Sequence, residues 1–330
     1  MDSLNVSALN TTPSGEVKPK KVLKEKTKRL IFYICIVAPL LVQVAIFYVY
    51  VNFSNVMLAF TEYTFNETTG VVTSKVVWFK NFEFVINTLF APENVEMFSV
   101  SFMMYAIVAF VATPVSIIFS FYVYKKFPFS EFFRVILFFP QIISTVVMTM
   151  TFKFLVNDVY AFLTGNIGLL HKLNDTSIIL PTLIFYNLWM GFGANILLAS
   201  GAMSGINESV VESCHLDGCN TVQEFIYITL PSIYPTIITF VVIDLAAVFS
   251  NQMNLYTFFG KELPNDDIRS IGYYMYLQTV ESQGLFEFGG GKDNLLYPQI
   301  SAMGVMITLV VLPVTLTIRR LLEKLGPSVD

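Results

Sequence analysis

Six stretches of this chain are long and apolar enough to cross a bilayer, and no other feature restricts its fold as much. They run over residues 31–51, 98–124, 135–156, 179–200, 236–259 and 298–318. A membrane helix needs about 20 mostly apolar residues. In hydrocarbon, backbone polar groups must be satisfied within the segment, which selects helices for segments of this length. The expected fold is an all-α membrane bundle of six helices. The third segment holds Pro140, where a break is expected. Its Lys153, near the far end, is expected to snorkel toward the interface. Composition agrees with lipid as solvent. The chain is 55% hydrophobic and 13% charged, whereas soluble domains carry roughly 25% charged residues. The net charge of −4 is uninformative about nucleic acid, but no basic groove is readable, so no nucleic-acid partner is expected. The three cysteines, Cys35, Cys214 and Cys219, lie in or near apolar segments without metal-ligand spacing. They read as small apolar residues, and no metal or bound cofactor is expected.

Orientation follows from Lys and Arg. Seven lie in the polar lead that ends in "KPKKVLKEKTKRL", three between the second and third segments, and three after the sixth, so 13 of 20 fall on one side. The positive-inside rule puts that side, and both termini, in the cytoplasm. Residues 1–29 are expected to be a disordered cytoplasmic tail whose lysines fix topology. So long a polar lead does not look like a cleaved signal peptide. The spans and their loops are expected to form one domain over residues 30–325.

One inner segment has no positive charge at all. The stretch "ESCHLDGCNTVQEFIYITLPSIYP", Glu212 to Pro235, interrupts the apolar chain with Glu212, Asp217 and Glu224. It reads as two short helices set at an angle. Asn207 can cap the first, with Glu208 placed where the helix dipole favours a negative charge. "LDG" supplies the stop, with Gly218 free to turn left-handed. Thr221 and Glu224 have the spacing of a capping box for the second helix. Pro231 and Pro235 are expected to end it before the fifth segment. Val210, Val211, Leu216, Phe225 and Ile226 give the elbow apolar surface. A rigid elbow on the cytoplasmic face suits the transmission of force from a partner.

These residues resemble a known signature. Glu212-Ser213-Cys214-His215-Leu216-Asp217-Gly218-Cys219, followed by Ile228-Thr229-Leu230-Pro231, is similar to the "EAA" signature of ABC-importer permeases. Ser213, Cys214 and Cys219 stand where alanines are usual. The resemblance covers roughly residues 30 to 325. It implies that the elbow is a coupling helix, with Glu212, His215, Leu216, Asp217 and Gly218 contacting an ATP-binding subunit. It further implies a prokaryotic cell-membrane protein and an assembly around it. That assembly would hold a second homologous permease, two ATP-binding subunits and an extracellular or periplasmic sugar-binding protein. ATP would be bound by the partner and not by this chain. The one glycine-rich stretch, "FGGGKDN" near Gly291 and Lys292, lacks the spacer and the following Ser or Thr of a phosphate loop.

Further stretches resemble the carbohydrate-uptake branch of that family, which includes maltose and glycerol-phosphate importer permeases. They are "FTEYTF", "FFRVILFFPQIIS" and "NLWMGFGANILLASGAMSGINESVVESCHLDG". The branch's short "GGP" turn is absent; "FFGKELPNDDIRSIGYYMY" stands in its place. The resemblance carries substrate contacts over to Gln141, Thr145, Asn187 and Gly191, and more loosely to Asp244. The run "SNQMN" adds Ser250, Asn251, Gln252 and Asn254, whose amides can donate and accept as a hydroxyl partner must. The same residues could instead bond helix to helix. A neutral sugar fits better than a polyol or glycerol phosphate, since a phosphate would require Arg or Lys near the midplane. A passive channel or secondary transporter would leave the elbow unexplained. A membrane enzyme finds no site, because the only histidines, His171 and His215, fall on opposite sides of the membrane.

Overall fold

The computed structural model describes residues 25–66, 71–287 and 296–327. The chain divides into two compact units, residues 1–55 and 56–330. The first unit is helical from Glu25, and the apolar run continues as one helix from Lys26 to Leu58. Pro39 sits inside it and a π turn follows at Val44–Tyr50. Helix thus begins ahead of the boundary expected at residue 30, while the rest of the expected tail lies outside the described residues.

The second unit opens with an element the sequence reading missed. Strands Thr61–Asn66 and Val71–Val76 pair antiparallel, with Thr61 opposite Val76. The Thr64 and Thr73 hydroxyls meet across the pair at 2.7 Å. Threonine, valine and tyrosine at alternate positions suit a pleated surface. Asn81, on the helix Lys80–Leu89, ties the base of this hairpin by donating to the carbonyls of Ala59 at 2.9 Å and Thr61 at 2.6 Å.

Four further long apolar helices follow in the second unit. They are Glu96–Tyr124 (span two), Thr145–Thr164 (span three), Thr176–Met203 (span four) and Leu296–Leu325 (span six). The fifth is the bent pair Thr221–Ser232 and Tyr234–Ala246, with 65° between its halves. Among the described residues, five helices are long and apolar enough to cross a membrane, or six if the bent pair counts as one. The all-α expectation therefore holds apart from the hairpin.

Three boundaries differ from expectation. Pro140 does not break the third segment: it lies inside a helix, Ser130–Ile142, and the break follows at Ile143 and Ser144, which turn extended. Proline is costly to a helix because of clash and the lost N–H on its N-terminal side, but here the helix ends two residues after it. The fifth helix stops at Ala246, short of the expected 259, and the chain turns through Ala247–Asn254 into a short helix, Leu255–Phe259. Its second half is polar, "SNQMN", and takes the turn that asparagine permits. Finally, Pro231 and Pro235 each occupy the first turn of a helical segment, and the bend falls between them at Ile233.

Burial in hydrocarbon supplies no drive between helices, so close packing and hydrogen bonds hold them. Span four is the hub. Its Ile179, Leu183 and Tyr186 are fully buried. The Tyr186 ring meets Phe258 edge-on at 4.9 Å between centroids, and its hydroxyl lies 2.6 Å from that of Thr149 on span three. Gly193 lets the Ser130–Ile142 helix cross at backbone distance. A Cβ there would lie 2.5 Å from the Leu137 carbonyl oxygen. Span two meets the same hub through Ser120, which donates to the Ile196 carbonyl at 3.3 Å.

Candidate functional site

The elbow forms as two capped helices. The first is Glu208–Leu216, and its N-cap Asn207 accepts from the Ser209 amide at 3.1 Å. It ends in a full Schellman motif. The Cys219 amide donates to the Cys214 carbonyl at 2.9 Å, and the Gly218 amide to His215 at 3.1 Å. Gly218 sits at φ +82°, a conformation that glycine adopts without steric cost. The capping box of the second helix is shifted by one residue from the expected Thr221–Glu224 pair. Asn220 is the cap: its side chain accepts from the Gln223 amide at 2.9 Å, and the Gln223 side chain accepts from the Asn220 amide at 2.8 Å. Asparagine outranks threonine as a cap, and the shift releases Glu224 for another task.

Glu224 is fully buried. Lys125, just past the end of span two, donates to both its carboxylate oxygens at 3.0 and 2.9 Å. His215 Nε2 lies 3.2 Å from the same carboxylate. Three elements therefore meet in one ion-paired node: the end of span two, the first elbow helix and the second. A buried charge is tolerable only when paired and hydrogen-bonded in this way. Phe225 packs beside it against Phe121 of span two at 4.9 Å. The elbow is fixed to its own membrane helices while its tip stays free: Leu216 is 88% exposed, and Glu212, Asp217 and Gly218 are exposed with it. Of the residues expected to meet a partner, His215 alone also turns inward.

The cysteine reading needs correction. Cys214 and Cys219 form a disulfide, with Cα atoms 5.2 Å apart. Sequence inspection missed it because a pair five residues apart is brought together only by the turn between them.

The residues expected around a substrate fall into two groups. Gln141 donates from Nε2 to the Met190 carbonyl at 2.7 Å, next to Gly191. Gly191 is open, with no atom within 4 Å of where a Cβ would stand. Thr145 is exposed close by, at the start of span three. These three border the break at Ile143 and Ser144. The second group lines a cavity formed by Asp244, Asn251, Ser101, Tyr105 and Met253. Asp244 Oδ2 is buried there without a hydrogen-bond partner among the described residues, and Gln252 Oε1, beside Asn251 in sequence, is in the same state.

Asn187 belongs to neither wall. Its amide nitrogen donates to the carbonyls of Leu183 at 2.8 Å and Met253 at 3.2 Å, and its oxygen accepts from Asn254 at 3.1 Å. It clamps span four to the turn after the fifth helix. That turn holds Met253 and Asn254 at φ +54° and +57°. A left-handed methionine costs energy and persists where its surroundings over-determine it. Asn251 accepts from the Met253 amide at 2.8 Å, completing the grip. Lys153 also turns inward instead of reaching the interface. It donates to the Phe258 carbonyl and lies 5.9 Å from the Phe259 ring centre.

The family model described as "Binding-protein-dependent transport system inner membrane component" matches residues 112–330, about two thirds of the chain. The chain belongs to this family. Among curated relatives, the arabinooligosaccharides transport system permease protein AraP of Bacillus subtilis is 23% identical over 62% of this chain and 64% of its own length. The maltose/maltodextrin permease protein MalF of Vibrio vulnificus is 26% identical over 54% of this chain and 35% of its own. The chain thus spans between about a third and just under two thirds of those relatives. Among solved structures, one chain of a bacterial ABC transporter involved in import of the acidic polysaccharide alginate superposes with a TM-score of 0.66. That match has 18% identity and covers 91% of this chain and 99% of that one. It shows a shared fold.

The family match begins at Ala112 and so takes in spans three to six, the elbow, the Gln141–Gly191 group, and Asp244, Asn251 and Met253 of the second group, but not Ser101 or Tyr105. Large apolar side chains such as Phe110 and Phe162 stand exposed, as suits an inner-membrane component in contact with lipid. Sequence reasoning missed three functional candidates: the Lys125–Glu224 pair, the Met253–Asn254 turn, and the Thr149–Tyr186 contact. The first and third join residues far apart in the chain, and the Met253–Asn254 turn is gripped by Asn187, 66 residues earlier.

Proposed function

We propose that this chain is one of two homologous permeases lining the pathway of an ATP-driven importer of neutral oligosaccharides. Both of its termini lie in the cytoplasm. Two ATP-binding subunits bind and hydrolyse ATP, and an extracellular or periplasmic sugar-binding protein delivers cargo. The elbow is the coupling helix, and it presents Glu212, Leu216, Asp217 and Gly218 to an ATP-binding subunit. The observation that carries this reading is the combination of a tip exposed at Leu216 with a base locked through buried Glu224 to span two. Such an element passes displacement to the membrane helices instead of absorbing it.

Neutral cargo is favoured by the charges at the two residue groups. Asp244 offers a carboxylate to hydroxyl donors, and the Gln141–Gly191 border offers amide and open space. An anionic sugar would meet repulsion at Asp244. The names of the curated relatives, which transport arabinooligosaccharides and maltodextrins, agree with a neutral oligosaccharide.

The test is Gly218→Val in the importer assembled with its own partners. A β-branched residue in the left-handed region costs about 1–2 kcal/mol there. The variant is expected to insert and assemble, and its ATP hydrolysis is expected to lose its dependence on substrate while uptake collapses. Substrate-stimulated hydrolysis and uptake at parental levels would end the coupling assignment.

A further inference from the structure

We propose that Cys214 and Cys219 form a reversible dithiol–disulfide site on the cytoplasmic elbow, one that sets the rigidity of its exposed tip. The inference rests on the orientation proposed above and goes beyond it. A Schellman motif brings two positions together: the third residue from the helix end and the second residue past it, which commonly share an apolar contact. Here those positions are Cys214 and Cys219, identified by the Cys219 amide donating to the Cys214 carbonyl at 2.9 Å. The backbone alone therefore holds the pair with Cα atoms 5.2 Å apart, inside the normal range for a disulfide. Both redox forms fit one fold. Reduced, two small apolar side chains make the usual contact of the motif. Oxidised, the contact becomes a covalent bond around Leu216, Asp217 and Gly218.

The site is reachable. Both cysteines are half-buried and border an open groove with Ser213, Asp217 and Gln223. Disulfides placed in a cytoplasm tend to be transient and redox-responsive, because thiol reductants compete for them. The exchange partner is a low-molecular-weight disulfide. One cysteine thiolate attacks a sulfur of that disulfide, forms a mixed disulfide and expels one thiolate. The second cysteine then attacks the protein sulfur of the mixed disulfide, closes the Cys214–Cys219 bond and expels the other. Two electrons pass from the cysteines to the small disulfide, and their two protons end on the two released thiols. An excess of the small thiol runs the same steps in reverse.

Hydrogen exchange on the purified full chain in detergent, at set ratios of reduced to oxidised glutathione, reads the consequence. Oxidation is expected to slow exchange at the Gly218 and Cys219 amides by about tenfold, because the bridge removes most open conformations of the five-residue turn. Cys214→Ala/Cys219→Ala retains Cys35 as an internal control and is expected to show no redox response at those amides. Rapid acid quenching of growing cells, followed by alkylation and mass measurement, is expected to find the pair partly oxidised after a brief disulfide stress and reduced again on recovery. A pair that stays reduced when oxidised glutathione dominates overturns the proposal. Equal exchange in both redox forms of the parent chain overturns it as well. Labelling of the reduced pair by an impermeant maleimide added outside intact cells would instead overturn the cytoplasmic placement, and with it the proposed orientation, while leaving the exchange chemistry standing.

Discussion

Two buried carboxylates in this molecule have opposite surroundings. Glu224 is fully buried and answered on every side, by Lys125 through two hydrogen bonds and by His215. Asp244 is partly buried, yet its Oδ2 has no hydrogen-bond partner among the described residues. Buried polar groups in folded proteins are almost always satisfied, so each exception calls for a reason. A carboxylate whose bonds are all spent on its own chain is a fastener. One with an unspent oxygen facing a cavity is available to something that arrives later. On the proposed function, Glu224 belongs to the part of the chain that transmits movement and Asp244 to the part that meets cargo.

The sharpest way to break this comparison is Lys125→Met. It leaves Glu224 buried with only His215 beside it, a loss of about 3–5 kcal/mol. Thermal unfolding of the purified chain should show a large drop in midpoint, and Lys125→Met/Glu224→Leu should recover a good part of it. A single variant as stable as the parent would mean that the node is not a fastener. Asn187→Leu comes second. It strips a hydrogen-bonding amide from the strained Met253–Asn254 turn and should cost about 1–3 kcal/mol. Stability and uptake should fall together. Lost uptake at parental stability would return Asn187 to the wall of the pathway. The smallest effect on stability is expected from Asp244→Asn, within about 0.5 kcal/mol because no internal bond is lost. Uptake of neutral sugar should nonetheless fall. Unchanged uptake in a destabilised variant would make Asp244 a fastener as well and erase the distinction.

Much of the fold was legible in the sequence, because lipid punishes exposed backbone and therefore writes long apolar runs. The elbow was legible for a different reason. Asn207 and Gly218 act locally, through bonds to neighbours a few residues away, and local chemistry can be read from a string. The misplacements share a cause. Pro140 looked like a break, yet the helix runs two residues further, just after Leu137 and Phe138 cross span four at Gly193. Thr221 had the right spacing for a cap, but Asn220 beside it is the stronger acceptor. Glu224 was read as a cap partner because the lysine that claims it lies 99 residues earlier. Residue types alone singled out the candidate substrate residues, without their surroundings. Which of them face an opening and which are spent on packing depends on contacts such as Asn187 with Met253, 66 residues apart. Sequence spacing within one helix cannot show those.

The bend at Ile233 has a mechanical consequence. It joins arms of 12 and 13 residues, or ~18 and ~20 Å at helical rise. Ile233 itself is 1% exposed and grouped with Ile117, Phe121 and Met203. Two stiff arms of nearly equal length meeting at a seated corner make a bell crank. A stroke on the lower arm leaves along the upper one turned through 65° and hardly changed in length. If the elbow is drawn as proposed, arms of nearly equal length give a gearing close to one to one.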